Sequence, residues 1–273
     1  MLAATLLAIG AAILHAGWNL AIKQSGDRWL ALWGQFFVAG AGCVVLLVAL
    51  GGVPASAWVW ASLSGLTHAG YLWSLARAYD LGDFSVSYPI ARGTGAVLAA
   101  IGGVMLLDDS LSALNVVGIA VTVVGLWLLA GPADNAHVRA ALAVAATIGV
   151  YSVIDSHGSR DTGGNLYALT TFVASAFFTT VHGFVIGRGP AMLPALRAQW
   201  RRFTLAGAAS VLTYWMVLVA VQRASVGYVT ALRESSVIIA ALVGVFVLKE
   251  PNARRRITAA CIAVGGLVIL VVG

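Results

Sequence analysis

A chain of 273 residues that is 60% hydrophobic and only 10% charged cannot cover a water-exposed shell, because soluble domains carry about 25% Asp, Glu, Lys and Arg. The length accommodates about ten apolar helices of roughly 20 residues with short connections, which leaves no room for a water-soluble catalytic or receptor domain. The net charge of +6 therefore reads as Lys and Arg beside a lipid bilayer, and no nucleic-acid partner is expected.

Apolar runs fall at 3–22, 29–50, 55–78, 84–107, 111–130, 138–156, 165–186, 203–222, 226–248 and 256–272. Each is long enough to satisfy its own backbone in lipid only as a helix, and none alternates as a barrel strand would. The expected class is an all-α integral membrane protein with ten transmembrane helices. The first run follows Met1 with no basic region before it and is expected to be a helix, not a cleaved leader. His15, Trp18, Asn19 and Lys23 share one side of it at helical spacing. The third run carries a similar polar stripe of Ser64, His68, Tyr71 and Tyr79. The fourth holds Pro89 and, at membrane depth, Arg92; the ninth holds Arg233 followed by Glu234. Cys43 and Cys261 lie inside apolar runs and are expected to be small buried residues.

With loops numbered by the helices they join, odd loops hold twelve of the sixteen basic residues and even loops only Arg160 and Arg223. The positive-inside rule then places odd loops in the cytoplasm of an inner or plasma membrane protein. Trp29, Trp58, Trp60 and Trp200, near span ends, are expected to be interface anchors. The basic run Arg254 to Arg256 is expected to be another.

The chain also resembles itself. A shift of 141 lays residues 92–130 on 233–271 without a gap, with ten identities in 39 positions, Arg92 on Arg233 among them. Five helices per copy would make the second copy enter the membrane the opposite way, giving inverted halves at 1–131 and 132–273. Inverted repeats with a site at their interface are a transporter architecture.

The segment Tyr88-Pro89-Ile90-Ala91-Arg92, then Val104 to Leu111, then Gly118 to Leu129 resembles the fourth and fifth helices of an EamA-type half. Val245 to Pro251 through Ile269 repeats that likeness in the second copy. The opening His15-Ala16-Gly17-Trp18-Asn19-x-x-x-Lys23 is similar to a subgroup associated with phosphonate use. EamA proteins belong to the drug/metabolite transporter superfamily. The resemblance implies ten helices in two inverted halves that carry small metabolites across inner membranes. It also implies both termini in the cytoplasm, where the basic residues argue for the reverse.

Arg92 and Arg233 are the leading candidates for function. An intramembrane arginine costs at least about 2.5–3.5 kcal/mol and needs a partner. Its fork binds carboxylate, phosphate or phosphonate through paired hydrogen bonds. Glu234 could bind a substrate amine, carry a coupling proton or neutralise an arginine. His15, Trp18, Asn19, His68, Tyr71, Tyr88 and Tyr214 complete the candidate substrate-binding set, with Tyr151 as a further aromatic wall. Gly95, Ala99 and Gly103 share the Arg92 face and are expected to let helices touch. Asp155 either faces a vestibule or caps a turn. Glu250-Pro251 is expected to cap the helix that follows.

No P-loop, zinc signature or nucleophile elbow occurs, so no cofactor, metal or catalytic residue is expected. The preferred expectation is a secondary transporter of a small polar metabolite with an anionic group: amino acid, organic acid or phosphonate. It would work with or without proton coupling. The rivals are an intramembrane lipid-modifying enzyme using His15, His68 or Asp155, and a non-transporting scaffold or sensor.

Overall fold

The computed structural model describes residues 2–106, 112–130, 134–162, 166–221 and 236–272. These hold ten helices and, among the described residues, no strand. In chain order they are α1 (Leu2–Lys23), α2 (Arg28–Ala49), α3 (Ala55–Leu81), α4 (Phe84–Leu106) and α5 (Ala113–Ala130), then α6 (Asn135–Thr162), α7 (Tyr167–Val185), α8 (Gly189–Val221), α9 (Ser236–Phe246) and α10 (Ala253–Val272).

The ends of the helices follow from local chemistry. Asp27 caps α2, its carboxylate accepting from the Leu30 N–H at 3.0 Å. α2 and α7 end alike. Gly51 (φ 88°) and Gly187 (φ 76°) adopt the left-handed conformation. The next N–H turns back in each case, Gly52 to the Leu47 carbonyl at 2.8 Å and Arg188 to that of Gly183 at 2.8 Å. Both are Schellman closures, which favour glycine at this position. The segment between the seventh and eighth apolar runs, expected as a loop, is helical from Gly189 and breaks at Gln199 (φ −124°, ψ 17°). Pro190 is tolerated in its first turn, where no intrahelical N–H bond is lost.

Five helical segments are long and apolar enough to cross a membrane: Thr5–Lys23, Arg28–Ala49, Phe84–Leu106, Asn135–Ser159 and Tyr167–Val185. Ala113–Leu129 and Ser236–Phe246 are shorter apolar helices. α3 is longer than any of the five but buries Ser64, His68, Tyr71, Ser74 and Tyr79, and α10 opens on three arginines. Those polar groups account for the lower hydropathy of both.

Large apolar side chains cover the outside, and many polar ones are buried within the apolar core. Val45, Val48, Trp127, Phe184 and Val185 are exposed, while Asn19, Gln35, Ser64, Ser85, Thr122 and Thr170 are buried. That inversion suits a lipid surround, where polar side chains must find partners inside the bundle. α1 packs on α8, α3 on α6 and α7, α2 on α7 and α8, α4 on α6 and α9, and α5 on α10. Small residues set the closest approaches, as the Arg92-face stripe led one to expect. A side chain at Gly95 would lie 2.6 Å from Ile148 of α6. Between α5 and α10, one at Gly125 would lie 2.4 Å from the Ala263 nitrogen, and one at Gly266 would lie 2.3 Å from that of Thr122.

Two expectations about burial fail. Cys43 is buried but Cys261 is exposed, on an outward face of α10. Trp29 is only 4% exposed. Its ring packs beside His182 with the Arg188 guanidinium 5.7 Å above it, so it is a core residue held by a cation–π contact and not an interface anchor.

Candidate functional site

Four of the predicted residues meet where α1 faces α3 and α4. The Asn19 amide N–H donates to the His15 carbonyl at 2.8 Å, which fixes its orientation. Its oxygen then accepts from the Tyr79 hydroxyl at 2.8 Å. The same amide nitrogen points at His15 Nδ1 at 3.3 Å, and the Tyr88 hydroxyl is 2.7 Å from that atom. The imidazole and the phenol are thus hydrogen-bonded to each other, with the donor set by the His15 tautomer. Trp18 stands edge-on to His15 at 4.9 Å. Its indole N–H is buried with no acceptor among the described residues.

Arg92 follows Tyr88 by one turn of α4 and is buried. It lies within electrostatic reach of the Tyr79 hydroxyl, as do Tyr71 and Tyr88. Three phenols and one guanidinium therefore share a low-dielectric interior, where electrostatic interactions are stronger than in water. α4 runs through Pro89 without ending.

A second group lies along α3. His68 Nδ1 donates to the Ser64 carbonyl at 2.8 Å, so its Nε2 lone pair is left to accept. Its ring stacks on Tyr151 at 4.5 Å and stands edge-on to Tyr71 at 5.8 Å. Phe36 lies 5.7 Å from the His68 ring and 5.9 Å from Phe172, which meets Tyr214 at 6.1 Å. Tyr214 is thus linked to the site through the Phe172 and Phe36 rings. Asp155 is not at a turn. It is buried and accepts from the Tyr167 hydroxyl at 2.9 Å. Arg233 and Glu234 lie outside the described residues.

An ionic layer closes the bundle where α3 meets α4, and local sequence gave no sign of it. The Glu250 carboxylate accepts from the first two N–H groups of α4, Phe84 at 2.7 Å and Ser85 at 3.1 Å. It therefore caps α4 and not the following helix, correcting the expectation from Glu250-Pro251. An acid at a helix N-terminus satisfies orphan donors and meets the positive end of the dipole. Arg256 bonds Glu250 at 3.1 Å and also reaches Asp83 and the Ser85 hydroxyl. It is 3% exposed, so it is a buried clamp and not a surface anchor, whereas Arg254 is exposed. Lys23 donates to the carbonyls of Tyr79 at 2.6 Å and Gly82 at 2.5 Å, at the end of α3. His137 of α6 hydrogen-bonds the Ser87 hydroxyl at 2.7 Å. A side chain at Gly82 would lie 2.2 Å from the His137 ring, so glycine is required there for space. The turn that aims Glu250 holds Lys249 (φ 55°) and Asn252 (φ 63°) in the left-handed region.

The model of the EamA-like transporter family matches residues 137–272. The chain belongs to this family. With its apolar helices, membership makes it a multi-pass membrane protein of a transporter family. Among solved structures, one protein crystal structure aligns over 97% of this chain and 95% of its own. Its TM-score is 0.65 at 18% identity, which shows a shared fold. No curated protein matches the chain.

Proposed function

We propose that this EamA-like chain is a secondary transporter that moves a small polar organic metabolite bearing an anionic group across the inner or plasma membrane. The observation that carries the reading is the interior around Arg92. The buried Arg92 guanidinium and the Trp18 N–H are donors suited to an anionic guest, and the surrounding ring faces suit its carbon skeleton as walls. Amino acids, organic acids and phosphonates share that chemistry. No catalytic role is assigned to these groups.

The mechanism we infer is alternating access between halves 1–131 and 132–273, inverted with respect to each other. The pairing of helices supports it. Moving each partner five helices along the chain turns the α1–α8 contact into α6–α3 and α2–α8 into α7–α3, while α2–α7 and α5–α10 map onto themselves. Gly125 and Thr122 stand 141 positions before Gly266 and Ala263, the offset of the internal repeat. Each glycine makes room for the other helix at the equivalent place, as a self-complementary two-fold contact would. In this reading the Glu250–Arg256–Asp83 layer is the seal of one side. Odd loops, and with them that seal, face the cytoplasm.

The test is uptake into proteoliposomes of labelled amino acids, carboxylates and phosphonates, preceded by a screen for ligands that raise the melting temperature. Transport lost in Arg92→Ala and partly kept in Arg92→Lys is the expected result. Normal transport by both Arg92→Ala and Arg233→Ala would remove the anion site.

A further inference from the structure

A groove runs between α3 and α6, opening outward. Trp73, Arg77 and Leu81 line it on α3, and Arg139, Ala140 and Ala143 line it on α6, around about 300 Å³. Its charge is one-sided. No acid lines it, and the neighbouring carboxylates are engaged elsewhere. Asp80 pairs with Arg28 and Asp83 with Arg256, while Asp134 accepts from the Ala136 N–H at 3.2 Å at the start of α6. Arg77 and Arg139 are both exposed and make no ion pair among the described residues. Below them the surface becomes apolar. Trp73 is 53% exposed, and Leu66, Leu63 and Val59 continue its outward face down α3, with Val150 on α6.

Two guanidinium groups at the upper edge of an apolar stripe, with an exposed indole one turn beneath, match the layers of a phospholipid. Arginine forks bind phosphate oxygens in pairs, tryptophan prefers the headgroup level, and the stripe offers a bed for acyl chains. Basic pockets between helices on the cytoplasmic side favour anionic headgroups. We propose that Arg77 and Arg139 form a binding site for the headgroup phosphate of an anionic phospholipid. The lipid would lie across the α3–α6 seam, touching both proposed halves. The site stands independently of any transported substrate.

The test uses the purified full chain in neutral detergent. Native mass spectrometry compares retention of dioleoyl phosphatidylglycerol, dioleoyl phosphatidylcholine and soluble glycerol 3-phosphate. The expected result is one phosphatidylglycerol held at least tenfold more tightly than phosphatidylcholine. Arg77→Gln with Arg139→Gln should weaken it tenfold or more, the corresponding Lys pair less. Arg254→Gln with Arg255→Gln, at a second basic groove beside α10, should leave this site unchanged. Equal retention by the Gln pair, or equal loss in the α10 pair, would overturn the site. Glycerol 3-phosphate bound as tightly as the lipid would overturn the lipid assignment. Should the Gln pair fail to fold, fluorescence of the unmodified chain decides. Brominated phosphatidylglycerol should quench a signal that Trp73→Phe removes, and no such component would count against the proposal.

Discussion

The ionic layer and the ring-lined interior both draw on α1, α3 and α4, but they are satisfied in opposite ways. In the layer, charge meets charge. Glu250, Arg256 and Asp83 bond one another and the α4 N-terminus, and the Lys23 ammonium is used up on carbonyls. In the interior the hydrogen bonds that join His15, Asn19, Tyr79 and Tyr88 run between imidazole, amide and phenol groups, and the Trp18 N–H is buried without an acceptor among the described residues. This layer resists opening because separation would leave the Glu250 and Arg256 side chains buried and unpaired. Hydroxyls and imidazoles exchange one hydrogen-bond partner for another at much lower cost.

Substitutions can break that contrast in order of expected effect. Arg92→Ala should reduce initial uptake in proteoliposomes by about a hundredfold or more, the worth of a lost charge-assisted pair of roughly 3 kcal/mol. Glu250→Ala should act on stability. It should cost about 3–5 kcal/mol of stability by leaving Arg256 buried without its partner, read as a drop in the midpoint of thermal or denaturant unfolding. Adding Arg256→Ala to it should cost less than the two single changes together, because one interaction is removed only once. Independent, additive costs would show that the layer is not one unit.

Tyr88→Phe should be milder, about 1 kcal/mol or roughly fivefold in apparent affinity, since it removes one hydrogen bond to His15 and keeps the ring. Smallest of all is Lys249→Gly. It relieves a left-handed residue costing about 1–2 kcal/mol against the entropy of glycine. Uptake should be unchanged and the melting temperature equal or up by a degree or two.

Helix positions were legible because apolar runs and their Gly, Pro and Asp punctuation are local signals. The expected third and fourth spans, 55–78 and 84–107, fall on α3 and α4 to within three residues. The α1 stripe was legible for the same reason, since a spacing of four puts His15 and Asn19 side by side, and it met Tyr88 and Tyr79 as facing helices allow. Phe36 and Phe172 were not legible as links to Tyr214, because in an apolar run a phenylalanine carries no mark of which ring it will meet. The role of Glu250 was hidden for a different reason. A carboxylate before a proline at a helix start is ordinary capping chemistry, and nothing near it in sequence says that a helix begun 166 positions earlier is the one it caps. Arg256 was misread beside Arg254 and Arg255 because charge counting does not distinguish a side chain turned inward from its neighbours.

That long-range cap has a consequence for biosynthesis. Phe84 emerges from the ribosome 166 residues before Glu250, a wait of roughly 10–30 s at ordinary elongation rates of about 5–20 residues per second. Until then the first two N–H groups of α4 depend on water at the membrane edge. The bundle can assemble its first half early, but it cannot lock that end until the last turn before the final helix has been made.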